Sequence, residues 1–271
     1  MTLESDFGSV EITGDFDYET LPQSFTNMIA AKLPTLLGIP KVNPHTNNNF
    51  VISAEIQKSD WIEKLLQLPV QLQEPMKLEG MVNDQLHSIA LECEVPHIIY
   101  KESAYSNGFV NITSPGDSLK YELSITKQMD NGKHFDLSAK GNAINNNLFT
   151  AFMWDNHDED PMSGQLNATV SFGSTLDNKQ MAYISIEPSQ ANVHHQQWTI
   201  EPSFISYSKN HIDINNFSIR NDKQFLTLNG VVSENSEDAL TVQMRDIDIS
   251  YVLELVHFDA VDFNGLATGG G

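Results

Sequence analysis

Between Leu119 and Phe172 the chain repeats one local rule, with apolar side chains at every second position. Leu119, Tyr121, Leu123 and Ile125 alternate with Lys120, Glu122, Ser124 and Thr126; Phe135, Leu137 and Ala139 repeat the pattern, and so do Leu166, Ala168, Val170 and Phe172. A period of two is the period of the pleat, so each run reads as a strand with one dry and one wet face. Asp130-Asn131-Gly132 and Asn145 to Asn147 separate the runs with residues that tolerate positive φ. Strands joined this tightly run antiparallel. Whatever the chain folds into must therefore deal with a wide apolar sheet face.

The same rhythm extends in both directions. Val10 and Ile12 face Phe16 and Tyr18 in an expected opening hairpin turned near Thr13-Gly14, and Phe50, Ile52, Ala54 and Ile56 form the next strand. Further strands are expected at 76–82, 89–95, 97–104 and 109–112, separated by Asn83-Asp84, Pro96 and Asn107-Gly108. Beyond Phe172 come short runs such as Ile212 and Ile214, Phe217 and Ile219, and Leu240, Val242 and Met244. Between Met244 and Ile247 the parity slips by one, which requires a bulge or a sharp bend.

Helical spacing is confined to three places. Thr20 stands three residues before Gln23, the spacing of a capping box, and Phe25, Met28, Ile29, Leu33 and Leu36 make one apolar stripe, with Pro34 kinking or ending the helix. This predicts a helix of about 16 residues. Two short helices are expected from Asp60 and from Ser250.

Length and charge narrow the function. The 271 residues carry 36 acidic and 15 basic side chains, a formal net charge of −21, with no basic patch to offset it. Phosphate backbones are repelled by such a surface, so nucleic acid is not an expected partner. Cys93, the single cysteine, falls in register with Ile89 and Leu91 as a small buried hydrophobe, and it rules out an internal disulfide. No run of apolar residues approaches the length of a membrane helix.

Each Leu, Ile or Phe removed from water contributes about 1.5–3 kcal/mol, so the dry face is not left bare. About a dozen strands span roughly 58 Å, whereas a 16-residue helix reaches only about 24 Å. Either the sheet doubles back as a filled sandwich or barrel, or it curls into a trough whose lining meets an apolar ligand. Alternation serves both equally well.

Several segments bear on that choice. The run from Ser5 to Ser24, the segment Trp198-Thr199-Ile200-Glu201-Pro202-Ser203, then Asn215-Asn216-Phe217-Ser218-Ile219, Leu228-Asn229-Gly230 and the run from Asp246 to Val256 resemble, in order and spacing, recurring segments of the AsmA/TamB-like family. The resemblance implies an internal periplasmic segment of a much larger chain anchored in the inner membrane, built as a large curved antiparallel sheet, a β-trough, with an apolar concave face. It implies phospholipid as the partner, together with an outer-membrane β-barrel protein for the TamB branch. Residues 1–271 are then one elongated β-rich segment, with a sub-boundary near 173–180. Leu119, Tyr121, Leu123, Ile125, Leu166, Val170, Phe172, Ile212, Ile214, Leu240, Val242 and Met244 are the expected groove lining.

Other chemistry is thinner on the ground. Asp155, His157, Asp158, Glu159 and Asp160 are dense enough for Ca²⁺ but lack the spacing and glycine of an EF-hand loop, so a solvated acidic hairpin is expected and no metal or other cofactor is assigned. His194-His195, if in a strand, point to opposite faces. Asp15 with Asp17 and Asp246 with Asp248 put two carboxylates on one strand face, as a glycosidase pair would require. No nucleotide, nucleophile-elbow or zinc-protease motif is present, and a non-enzyme is expected. The competing reading is a non-catalytic β-sandwich that binds glycans or proteins, which calls for exposed aromatics on a wet face.

Overall fold

The computed structural model describes residues 1–36, 45–57, 70–129, 132–175, 179–248 and 266–270. The described chain is mainly β, with one α-helix and with antiparallel pairing throughout. It divides into two compact units, Met1–Glu159 and Asp160–Gly271. The short helices expected from Asp60 and Ser250 lie outside the described residues. None of the described helices is long and apolar enough to cross a membrane.

The first unit contains β1 (Thr2–Ser5), β2 (Gly8–Asp15), α1 (Leu21–Lys32), β3 (Asn49–Ile56), β4 (Val70–Leu72), β5 (Met76–Asn83), β6 (Ser88–Tyr100), β7 (Ser103–Thr113), β8 (Leu119–Gln128), β9 (His134–Ile144) and β10 (Asn147–Asp155). Neighbours in sequence are neighbours in the sheet, except that β3 pairs with β5, and β4 and β5 lie end to end along β6. The second unit contains β11 (Met162–Ser174), β12 (Gln180–Ile186), β13 (Ser189–Val193), β14 (Gln196–Ile200), β15 (Ser203–Ser208), β16 (His211–Arg220), β17 (Phe225–Ser233), β18 (Leu240–Asp248) and β19 (Leu266–Gly270). Here β12 and β13 share β11 as a neighbour, β14 and β15 share β16, and β17, β18 and β19 follow. Pro188 and Pro202 occupy the two breaks, which stand side by side because Ile186 pairs with Ser203 and Ser189 with Ile200. A residue without an N–H is tolerated where no ladder bond is due.

Pro96 obeys the same logic and corrects the expected turn there. It sits inside β6, where β5 ends as a partner at Glu94 and β4 takes over at Ile98. The hairpin turns instead at Lys101-Glu102, whose φ values of 46° and 69° are those of a two-residue type I′ turn. Asn107-Gly108 is likewise not a turn. Asn107, at φ 53°, marks a bulge in β7 between Ser106 and Phe109. Equivalent left-handed residues, Asn216 and Asp246, mark bulges between Ile214 and Phe217 and between Met244 and Ile247. The last is the parity slip visible in the sequence, and each extra residue lets the apolar set stay on one face.

The opening hairpin is also displaced. Gly14 lies within β2, where a side chain would meet the Asn49 carbonyl oxygen at 2.3 Å, and the partner strand is β1. Phe16 follows the strand and packs edge-on against Phe50, their ring centroids 6.2 Å apart.

Helix α1 has 12 residues rather than about 16. It ends at Leu33 because a residue before proline is pushed out of helical conformation, and Leu33 has φ −130° and ψ 65°. The capping box does not form. Thr20 Oγ1 donates to the Asp17 carbonyl, and the Gln23 amide turns to Thr26 and Asn27.

Because α1 connects two strands that already pair, it makes no crossover and lies across one end of the sheet, over the hairpin turns. Ser24 Oγ donates to Asp84 Oδ2 at 2.8 Å in the β5–β6 turn, and Lys32 Nζ donates to the Gly116 carbonyl in the β7–β8 turn. Asn146 in the β9–β10 turn donates its backbone N–H to the Lys32 carbonyl and accepts from the Thr35 N–H. Beneath the helix Met28, Ala30 and Leu33 are buried, as are Phe50, Val82, Ile89, Leu119 and Ala143 from the adjoining strand ends. A second cluster, Ala54 and Ile56 with Val10, Leu72, Met76 and Leu78, closes the far end of β2, β3 and β5.

Candidate apolar binding face

Register brings the predicted lining residues together within each unit. In the first, Leu123 stands between Val110 and Ala139, and Ala139 is opposite Phe152; Ile125 is opposite Leu137, which is opposite Trp154. Leu119 and Tyr121 belong to the same face by the pleat. In the second, Val170, Ile184, Ile205 and Ile214 form one cross-strand row, and Phe172, Ala182, Tyr207 and Ile212 the next. Leu166 shares this face by alternation, and Leu240, Val242 and Met244 join it opposite Gly230, Leu228 and Leu226.

Coverage of these faces is partial. Leu119, under α1, is 7% exposed and belongs to the packed core. Leu123 is 38% exposed, as is its row neighbour Phe152. Tyr121, Ile125, Leu166, Val170, Phe172, Ile212, Ile214, Leu240, Val242 and Met244 are half-buried. A sandwich filled by its own side chains would bury most of these positions, as Val82 and Ile89 are buried at the helix end. An apolar face in this state can gain free energy by taking up further hydrocarbon, at about 25 cal/mol per Å² removed from water.

Cys93 faces the same side, between Leu78 and Val110, and is buried and free. Burial, and secondarily the Glu94 carboxylate, push its thiol up from the ordinary range, so it stays protonated and unreactive.

Asp15 and Asp17 do not share a strand face. β2 ends at Asp15, and Asp17 instead accepts the Glu19 N–H in the turn before α1. Asp246 is the bulge residue and accepts from Thr268 Oγ1 at 3.1 Å. His194 and His195, at φ 48° and 63°, are the two central residues of the β13–β14 turn rather than strand residues.

The acidic run after Trp154 is dispersed among separate partners. Asp158 pairs with Lys133, and Asp160 with His194. His157 turns back across the hairpin, its Nε2 2.8 Å from Asp136 Oδ2. Sequence reasoning missed this last cluster, because its members are 21 residues apart and meet only through the β9–β10 register.

Two features lie off the apolar faces. Tyr183 and Phe204, 36% and 45% exposed, stack on the polar side of β12 and β15 with centroids 6.1 Å apart and planes 19° from parallel. An open depression of about 990 Å³ in the second unit is lined by amides and charges, among them Gln190, Gln197, Arg220, Asn221 and Asp246. No family model, no curated protein and no solved structure matches the chain.

Proposed function

We propose that this chain is a segment of an AsmA/TamB-like protein that shields phospholipid acyl chains along its apolar sheet faces, in the periplasm, for transport to or assembly of the outer membrane. The observation that carries the reading is the row Leu123–Ala139–Phe152 with its neighbours, apolar in every strand yet left part-exposed. No bond is made or broken in such a role. The face replaces bilayer hydrocarbon at about 0.8 kcal/mol per methylene, while charged head groups stay in water, where their solvation is strongest. Helix α1 seals one end of the first unit's face, so chains would lie on β7–β10 rather than run past Leu119.

The test is organic extraction of the purified chain followed by mass spectrometry. Co-purified phospholipid should be lost in a Leu123→Asp/Phe152→Asp variant and retained in Val51→Asp, a substitution of an exposed residue on the opposite face. Wild-type protein free of lipid and unable to take up a fluorescent phospholipid would end this reading.

The stacked Tyr183–Phe204 pair favours a second reading, a glycan- or protein-binding module, since flat exposed rings suit sugar faces and interface anchors. Binding on a glycan array that disappears in Phe204→Ala would support it over the lipid reading.

A further inference from the structure

The β8–β9–β10 edge of the first unit carries a cluster outside the apolar face. His134 and Asp136 are two residues apart in β9, so the pleat puts both on its polar side. His157 follows the end of β10, and its left-handed backbone, φ 49°, folds it back over β9. The His157 backbone N–H donates to Asp155 Oδ1 at 2.7 Å, which holds the turn. One donor atom from each of His134, Asp136 and His157 lies within 4.8 Å of the other two.

We propose that His134, Asp136 and His157 form a binding site for a divalent transition-metal ion of the zinc class. Zinc bonds imidazole nitrogen at about 2.0–2.1 Å and carboxylate oxygen at about 2.0–2.2 Å, so adjacent donors around one tetrahedral ion stand about 3.3 Å apart, within a few tenths of an ångström of a hydrogen-bonded pair. His157 Nε2 and Asp136 Oδ2 are 2.8 Å apart. Two imidazoles sharing a tetrahedral ion put their ring centroids about 5 Å apart by the same bond lengths, and the rings of His134 and His157 are 5.2 Å apart and 29° from parallel.

The surrounding groups orient the donors. Thr126 Oγ1 donates to the other carboxylate oxygen, Asp136 Oδ1, at 2.7 Å, which leaves Oδ2 aimed at the histidines. Asp155 Oδ1 lies 3.6 Å from His157 Nδ1 and so stands on the side of the ring away from the ion. Carboxylates and hydroxyls in such places fix the ligands of metal sites. Two nitrogens and one oxygen select a borderline ion such as Zn²⁺, Ni²⁺ or Co²⁺, whereas Ca²⁺ takes six to eight oxygens. Three protein donors leave a position for water. A bound ion would pin the segment after β10 onto β9.

The experiment titrates the untagged 1–271 chain with Zn²⁺ by calorimetry and with Co²⁺ by visible absorption. We expect one ion per chain, with affinity reduced at least tenfold in His134→Ala and in His157→Ala. Thr126→Val, which leaves all three donors in place, is expected to lose about tenfold. His211→Ala, in the second unit, should match the wild type, and circular dichroism should show all variants folded. Equal affinity in wild type and His134→Ala/His157→Ala, or full displacement of bound Zn²⁺ by a tenfold excess of Ca²⁺, would overturn the site. So would a Co²⁺ spectrum identical to that of the aqueous ion, because it reports the coordination shell whatever the fold's stability.

Discussion

Individual side chains carry unequal weight. Asn48 is nearly fully buried and bonds in three directions: its Oδ1 accepts the Asp17 N–H at 2.7 Å, and its Nδ2 donates to Thr20 Oγ1 and Ser24 Oγ. Asn48→Ala should cost roughly 2–4 kcal/mol, read as a lower urea midpoint, because it strands several buried polar groups at once. Glycines divide in the same way. A side chain at Gly141 would meet the Phe149 carbonyl oxygen at 1.9 Å and Tyr121 Oη at 2.8 Å, so Gly141→Ala should reduce the folded yield sharply. Gly173→Ala should be near neutral, its nearest neighbour being the Tyr183 ring at 3.6 Å. Cys93 should ignore a thiol reagent until the chain unfolds. With a raised folded value the sign is fixed: native protein holds its proton longer than unfolded chain, so Cys93 lowers stability only as pH climbs past the ordinary thiol range.

At the scale of elements, what was legible followed from the pleat, and what was not followed from partners. The strands around Leu119–Ile125 and Leu166–Phe172 were readable because alternation is local, and the bulge at Asp246 was readable because parity slips there. Pro96 misled because proline reads as a breaker, yet the gap between β4 and β5 removes its penalty. The Lys101-Glu102 turn was invisible, since neither residue is the Asn or Gly that type I′ geometry favours. Lys101→Asn/Glu102→Gly should therefore stabilise the chain by about 0.5–1 kcal/mol, seen as a higher thermal midpoint. Helix α1 lost its predicted last turn to Pro34, and its first turn is held by the buried Ser24–Asn48–Asp84 network in place of the capping box.

For the whole molecule, partial coverage of the apolar faces makes a quantitative claim. Val82→Ala, at a fully buried site under α1, should cost about 2 kcal/mol, while Leu123→Ala should cost only about 1–1.5 kcal/mol although it removes more carbons, because part of that side chain is already in water. A loss at Leu123 of about 3 kcal/mol or more would mean that it sits in a closed core. The charge of −21 acts over the entire surface, so added NaCl should raise the unfolding midpoint by screening self-repulsion. By itself the amino-acid order determined that the chain is antiparallel β with most of its apolar residues on one side of each strand, since that follows from the geometry of neighbouring residues alone. Which of those residues are covered, that α1 lies across the strand ends, and that His134, Asp136 and His157 meet were decided only in three dimensions. Those outcomes depend on register between segments far apart in the chain, and no local pattern encodes it.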